Sequence, residues 1–181
     1  MILPNKTILR LILRKTLFHL NPERKSQASL LACRFLQESL KTSSHPVLSF
    51  ASKPFEINLW PLNRWLAQEK RLLLPKVLND KIEIFEVPCL KNLRISSLGI
   101  QEPNEYLCSK IETLPAESLF LIPALGFDEV GSRVGHGKGH YDRLLPSFSH
   151  LETWGIGFEE QKCDFIPTEE HDFYMNEVYF F

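Results

Sequence analysis

The sequence lacks any apolar run near the roughly 20 residues that cross a bilayer, so no membrane-spanning helix is expected. It has no Cys-x-x-Cys pair. Cys33, Cys89, Cys108 and Cys163 are scattered, which excludes a zinc ribbon, and at this length no disulfide framework is needed. It lacks a charge excess of either sign, with 21 basic against 22 acidic residues and a net charge of −1. A near-neutral chain without an aromatic and basic platform has no electrostatic footprint for nucleic acid. Internal repeats, low-complexity segments and a domain-splitting linker are also missing. What remains is 44% hydrophobic and 24% charged, near the globular average and outside the disordered range. A chain of 181 residues buries a substantial core and has the size of a single domain.

The charges that are present are unevenly placed. Lys6, Arg10, Arg14, Lys15, Arg24 and Lys25 face only Glu23 in the first 25 residues, whereas residues 151–181 hold eight acids against Lys162. The two ends attract each other, or the basic end meets an anionic ligand and the acidic end a metal. Arg10, Arg14 and Lys15 interrupt the N-terminal leucines and isoleucines, unlike the apolar core of a secretory signal. A transit peptide and a first helix share this acid-poor, amphipathic character; a cytoplasmic location is expected.

Asn5 caps a helical pattern running to about position 20, and Asn21-Pro22-Glu23 reads as a second start. The second helix runs to about Lys41, with Ala28, Leu31, Ala32, Phe35 and Leu36 on its apolar side. Short apolar runs then alternate with a helix: Val47–Ala51, a helix over Asn58–Glu69 capped by Asn58, and Leu72–Leu74 ending at Pro75. Ile82–Val87 and Leu93–Ile95 follow, then a loop around Gly99–Pro103 and strands at Ser118–Pro123 and Trp154–Phe158. This alternation predicts a single α/β domain, with a mostly parallel sheet flanked by helices on both faces.

Five of the eight glycines fall within residues 126–139, between a strand and a helix predicted from about Tyr141. Gly126, Gly131, Gly135, Gly137 and Gly139 permit close backbone approach, and Arg133 and Lys138 add positive charge. The segment reads as a phosphate cradle reinforced by the helix N-terminus, or as a flexible turn. It is not a P-loop, because Ser132 stands where the leading glycine belongs, and glycines spaced two and two do not make a dinucleotide fingerprint. His136 and His140 are four apart, but the glycines between them argue against a helix aiming both at one zinc. Asp142 is either a first-turn acid favoured by the helix dipole or a carboxylate placed to hold Mg²⁺ against nucleotide oxygens.

Pro123-Ala124-Leu125-Gly126-Phe127-Asp128 followed by Gly131-Ser132-Arg133-Val134-Gly135-His136-Gly137-Lys138-Gly139-His140-Tyr141-Asp142 resembles the long motif of the 5-formyltetrahydrofolate cyclo-ligase family. Weaker marks extend the likeness over nearly the whole chain: Lys6-Thr7-Ile8-Leu9-Arg10, Glu56, Leu74-Pro75-Lys76, Gly99-Ile100 with Pro103, and His171-Asp172. The resemblance implies one cyclo-ligase-like domain over residues 1–181, similar in fold to the sugar-phosphate isomerase and CoA-transferase families (NagB/RpiA/CoA-transferase-like). It also implies a reaction, in which ATP phosphorylates the formyl oxygen of 5-formyltetrahydrofolate, N10 attacks the formyl carbon, and phosphate leaves to give 5,10-methenyltetrahydrofolate.

By the same resemblance Lys6, Arg10, Arg133, Gly135, Gly137, Lys138, Gly139 and Tyr141 contact ATP. Ala51, Glu56, His136, Gly137, Lys138, Gly139 and His140 contact the folate, and Asp142 and Asp172 hold Mg²⁺. Arg133, Lys138 and Tyr141 are the catalytic candidates. The sequence departs from the family at Asn58-Leu59, where an acid and Thr are usual, and at His140, where Tyr is usual. Phosphoryl transfer needs charge neutralisation and in-line positioning rather than a protein nucleophile, and no Ser or Cys triad is on offer. A small-molecule substrate, no nucleic-acid or membrane partner and a monomer are expected. Asp142→Ala should abolish turnover with little loss of stability. The alternative is a folate- or nucleotide-binding protein of the same fold without turnover; a CoA-transferase-type enzyme lacks an acidic nucleophile in a matching motif.

Overall fold

The computed structural model describes residues 5–79, 81–96, 99–169 and 172–181. Asn5 and Asn21 start the first two helices in the same way. The Ile8 N–H donates to Asn5 Oδ1 at 3.0 Å and the Glu23 N–H to Asn21 Oδ1 at 2.7 Å, each satisfying a donor that the helix itself cannot. Helix α1 spans Lys6–His19 and buries Leu9, Leu13 and Leu17 at four-residue spacing. Helix α2 spans Pro22–Leu40 and buries Ala28, Ala32, Cys33, Leu36 and Leu40; Leu31, expected on that face, turns outward, while Phe35 packs at the core's edge against Tyr179 and Phe181.

Strand β1 is only Val47–Leu48, shorter than expected, because the chain leaves the sheet after Ser49 to form the loop leading into α3, Trp60–Gln68. Asn58 sits two positions before that helix, one before its cap residue Leu59, where its Oδ1 accepts the Trp60 N–H at 3.0 Å. Strands β2 (Leu72–Leu78) and β3 (Lys81–Glu86) form a hairpin. Leu93–Ile95 (β4) and Gln101–Pro103 (β5) form a small sheet, so part of the expected loop is a strand; β6 is Ser109–Ile111. Leu119–Ile122 (β7) is followed by the two-residue ladder of β8 (Gly126–Phe127) and β9 (Arg133–Val134). The five-residue α4 (His140–Leu144), then β10 (Glu152–Gly157) and β11 (Glu177–Phe180), complete the elements.

Pro75 does not end its strand as the sequence suggested. Val47 and Ser49 donate to the carbonyls of Arg71 and Leu73, so the odd residues of β2 face β1. β1 has already ended where Pro75 would next need a partner, and the missing N–H of proline leaves no gap in the ladder.

The main sheet has the order β11-β10-β7-β1-β2-β3-β6. β11 through β2 are parallel, and β3 and β6 are antiparallel, as a direct hairpin from β2 requires. Successive residues alternate between two cores. Val47, Leu72, Leu74, Leu119 and Leu121 pack under α1, α2 and α3, while Leu48, Leu73, Phe120 and Ile122 pack under α4 and the turn at Leu145–Phe148. From β1 the chain crosses through α3 to β2; from β7 it crosses through α4 to β10 on the other side. The strand order therefore reverses between β1 and β7, and in open α/β sheets a crevice opens beyond the carboxyl ends of such strands. The loops that follow β1 and β7 are those carrying Glu56 and the glycine-rich segment.

Gly155 in β10 makes room for the buried Phe127 ring: a Cβ there would lie 2.6 Å from Phe127 Cε1. Gly155→Ala should cost about 1–3 kcal/mol through overpacking, read as a lower urea midpoint with an unchanged m-value.

Candidate active site

The glycine-rich segment divides into a structural half and an open half. Asp128 is buried and closes the turn between β8 and β9; the Ser132 N–H donates to its Oδ1 at 2.8 Å and the Ile166 N–H to its Oδ2 at 3.2 Å. Gly131 has φ +86°, and a Cβ there would run into the Met175 carbonyl. At Gly126 it would lie 2.8 Å from Leu13 Cδ1. These two glycines serve packing, so the cradle is confined to Gly135, Gly137 and Gly139. At Gly135 a Cβ would meet nothing within 4 Å. Gly137, at φ +93°, lies against Arg10.

Helix α1 supplies the opposite wall. Lys6, Arg10 and Arg14 follow one another at single-turn spacing. Lys6 pairs with Asp172, Arg10 Nε donates to the Gly135 carbonyl at 3.0 Å, and an Arg14 NH₂ group donates to the His136 carbonyl at 3.0 Å. The Arg133 side chain is 4% exposed and pairs with Asp142. Burial lowers its pKa, while the nearby charges of Asp142 and Asp172 oppose that shift. Helix α4 begins at His140 rather than Tyr141 and has five residues, too short for the helix dipole the sequence reading invoked. The positive field here comes from side chains.

Lys6, Arg10, Arg14, Arg133, Asp142 and Asp172 line one cavity of about 510 Å³ with the whole stretch Gly135–Tyr141 and with Glu169. A second cavity of about 660 Å³ adjoins it, with Lys53 and Ile100 lining both. Glu56 lines the second; its side chain is 4% exposed, and its Oε2 accepts the Lys53 N–H at 2.9 Å. His136 bridges the two, with Nε2 3.4 Å from Glu56 Oε1 and its ring edge-on to Phe55 at 5.5 Å. Tyr141 packs on Phe120 at 6.1 Å between centroids. Its pKa is raised mainly by burial and next by the charge of Glu56, against which Arg133 acts in the lowering direction.

The expected site residues therefore converge, except that Ala51 lines neither cavity. His171, a weaker mark of the resemblance, lies outside the described residues. Sequence reasoning missed Lys53, Trp60 and Glu169. Ile100 had been noted only as a weak mark, and it is the residue both cavities share with Lys53. Asp142 and Asp172 are hard carboxylates on one cavity, suited to a divalent cation that also takes oxygens from a bound ligand. Among the described residues no group of three His, Cys, Asp or Glu forms a metal cage.

The sequence model of the 5-formyltetrahydrofolate cyclo-ligase family matches residues 3–180. The chain belongs to that family. A cyclo-ligase from Mycolicibacterium smegmatis is 30% identical over 167 residues, 87% of this chain and 84% of its own length. One from Escherichia coli K12 is 30% identical over 164 residues, 84% and 87%. The match to the Mus musculus enzyme is 45% identical over 65 residues, and spans 33% of this chain and 32% of the relative. The structure of the Aquifex aeolicus 5,10-methenyltetrahydrofolate synthetase superposes with a TM-score of 0.83 at 26% identity, covering 96% of this chain and 88% of that one. The Mycoplasma pneumoniae synthetase gives 0.72 at 24% identity over 97% and 98%, a likeness of fold alone.

In this cyclo-ligase relative the two departures fall at the rims of the cavities, Asn58 on the larger and His140 on the cationic one. Burial of Tyr141 has a measurable consequence. In an alkaline titration followed by tyrosinate absorbance, the native protein and Tyr141→Phe should give the same signal through the ordinary tyrosine range at about pH 10, because Tyr141 ionises above it.

Proposed function

We propose that the chain, as one cyclo-ligase-like domain over residues 1–181, converts 5-formyltetrahydrofolate to 5,10-methenyltetrahydrofolate with ATP and Mg²⁺. The observation that carries the reading is the joining of a cationic cavity to a second one at Glu56, His136 and Lys53. ATP phosphates occupy the first, against Lys6, Arg10, Lys138 and the backbone of Gly135–Gly139. The pterin occupies the second, where the buried Glu56 accepts hydrogen bonds from its ring nitrogens and His136, Gly137 and His140 border it. The formyl group then lies at the shared wall.

The formyl oxygen attacks the terminal phosphorus as the bond to ADP breaks. N10 next attacks the formyl carbon, the carbon–oxygen bond breaks, and the N10 proton leaves with the phosphate as HPO₄²⁻. Arg133, held by Asp142, and the exposed Lys138 neutralise charge on the transferring phosphoryl oxygens. Tyr141 acts as a neutral hydroxyl donor, since its surroundings disfavour the phenolate. Asp142 and Asp172 would hold Mg²⁺, which supplies charge neutralisation and alignment at the phosphate oxygens.

Purified protein with Mg·ATP and 5-formyltetrahydrofolate should form product, followed by the near-ultraviolet absorbance of the methenyl group, and lose it with EDTA. Folate binding without product would favour a non-catalytic binding protein, as the changes at Asn58 and His140 would allow. Asp142→Ala should abolish turnover. The buried Arg133 loses its carboxylate partner in that variant, so stability falls with turnover, unlike the sequence-based expectation: a loss of about 1–2 kcal/mol should appear in denaturant unfolding. Glu56→Gln should raise the KM for folate more than that for ATP, and equal effects would count against its role.

A further inference from the structure

A third cavity, of about 530 Å³, continues from the second beyond Trp60 and Gln101, which line both. One wall is α3, where Arg64 follows Trp60 by four residues and so lies one turn further along the same face. Another is the turn at Leu90–Asn92, which carries Lys91. Arg64 and Lys91 are exposed, and neither forms an ion pair among the described residues. Among the described residues no acidic side chain lines the cavity; Gln68 and Gln101 offer neutral amide donors. Two cations without carboxylate partners in one concavity favour an anion locally, and in a chain of net charge −1 this is a property of the place and not of the whole surface.

The geometry points to a carboxylate subsite that takes the glutamyl tail of the folate, with Trp60 as the aromatic platform between pterin and tail. This rests on the proposed activity. The substrate is itself linear: a formylated pterin, an aminobenzoyl ring and a glutamate with two carboxylates. With the formyl group at the wall shared with the nucleotide cavity, the carboxylates must lie away from the phosphates, which carry the same sign of charge. The three cavities follow the same order, with Trp60 at the second junction, where its face suits the aminobenzoyl ring. Lys25, in the wall of the second cavity, is the competing cation.

The test is steady-state kinetics with 5-formyltetrahydropteroate, which lacks the glutamate, beside 5-formyltetrahydrofolate. The full enzyme should show a KM about tenfold lower for the glutamate-bearing substrate, as two partly exposed ion pairs would give, shrinking with added salt. The Arg64→Gln/Lys91→Gln double variant should bring the two KM values together without moving the KM for ATP, and Trp60→Ala should raise both folate KM values where Trp60→Phe restores them. Discrimination that survives in the double variant, or that disappears in Lys25→Gln instead, overturns the subsite. An enzyme that turns over neither substrate counts against the proposed activity. Quenching of tryptophan fluorescence by 5-formyltetrahydrofolate then decides the subsite alone: weaker quenching in the double variant supports it, and equal quenching overturns it.

Discussion

A guanidinium that is almost wholly out of water must be compensated, and the way Arg133 is compensated organises the molecule. Its charge meets Asp142 at the start of α4, the field of Asp172 near the C-terminus, and the Phe173 carbonyl at 3.4 Å. Asp172 in turn pairs with Lys6 on the first turn of α1. Segments from both ends of the chain and from its glycine-rich middle are thereby drawn to one point above the switch between β7 and β1. The basic N-terminus and acidic C-terminus do attract each other, and they do so at the mouth of a cavity.

That arrangement is also what a nucleotide would require. In the cavity Lys6 and Arg133 are held by carboxylates, and Arg10 and Arg14 by the carbonyls of Gly135 and His136. Phosphate and a divalent cation arriving together would offer each partner a substitute: the ammonium and guanidinium groups would turn to phosphate oxygens, the carboxylates to the metal. The exchange leaves no buried charge alone at either stage, a condition that low-dielectric surroundings make strict. It also explains why the loop carbonyls face α1, since the same basic side chains that would bind phosphate fix the loop beforehand.

The helices and the two central strand pairs were legible because their signals are local: asparagine caps, four-residue apolar spacing, and alternating runs such as Leu119–Ile122. The line of Lys6, Arg10 and Arg14 was legible for the same reason. The glycines were misread as a group, because composition cannot tell Gly131, pressed against the Met175 backbone, from Gly135, which faces open space. Asp128 shows the same limit, a carboxylate inside the family motif that is used to close a turn. Asp172 stood out from the acidic tail only through the family resemblance, and Trp60 and Lys53 not at all, since their place in the site comes from tertiary proximity of two loops. Pro75 misled because strand pairing on one edge cannot be seen in the sequence.

The wall between the cavities has its own anchor. Ile100, shared by the first and second cavities, and Gln101, shared by the second and third, run directly into Glu102 of β5. Glu102 lies 3.6 Å and Glu105 3.1 Å from the ammonium of Lys76, whose side chain is 1% exposed in the central strand β2, and Arg94 ties Glu102 from the solvent side at 3.2 Å. Moving the β4–β5 hairpin would carry Glu102 away together with Arg94, which pairs with both carboxylates, and strand the buried Lys76 amine, so the ion pairs of Lys76 tie the hairpin to the sheet. Phosphoryl transfer depends on holding attacking and leaving oxygens in line. A wall that lines both cavities and is tied to β2 by the Lys76 ion pairs would set the positions of two bound ligands together, which two separate loops could not do.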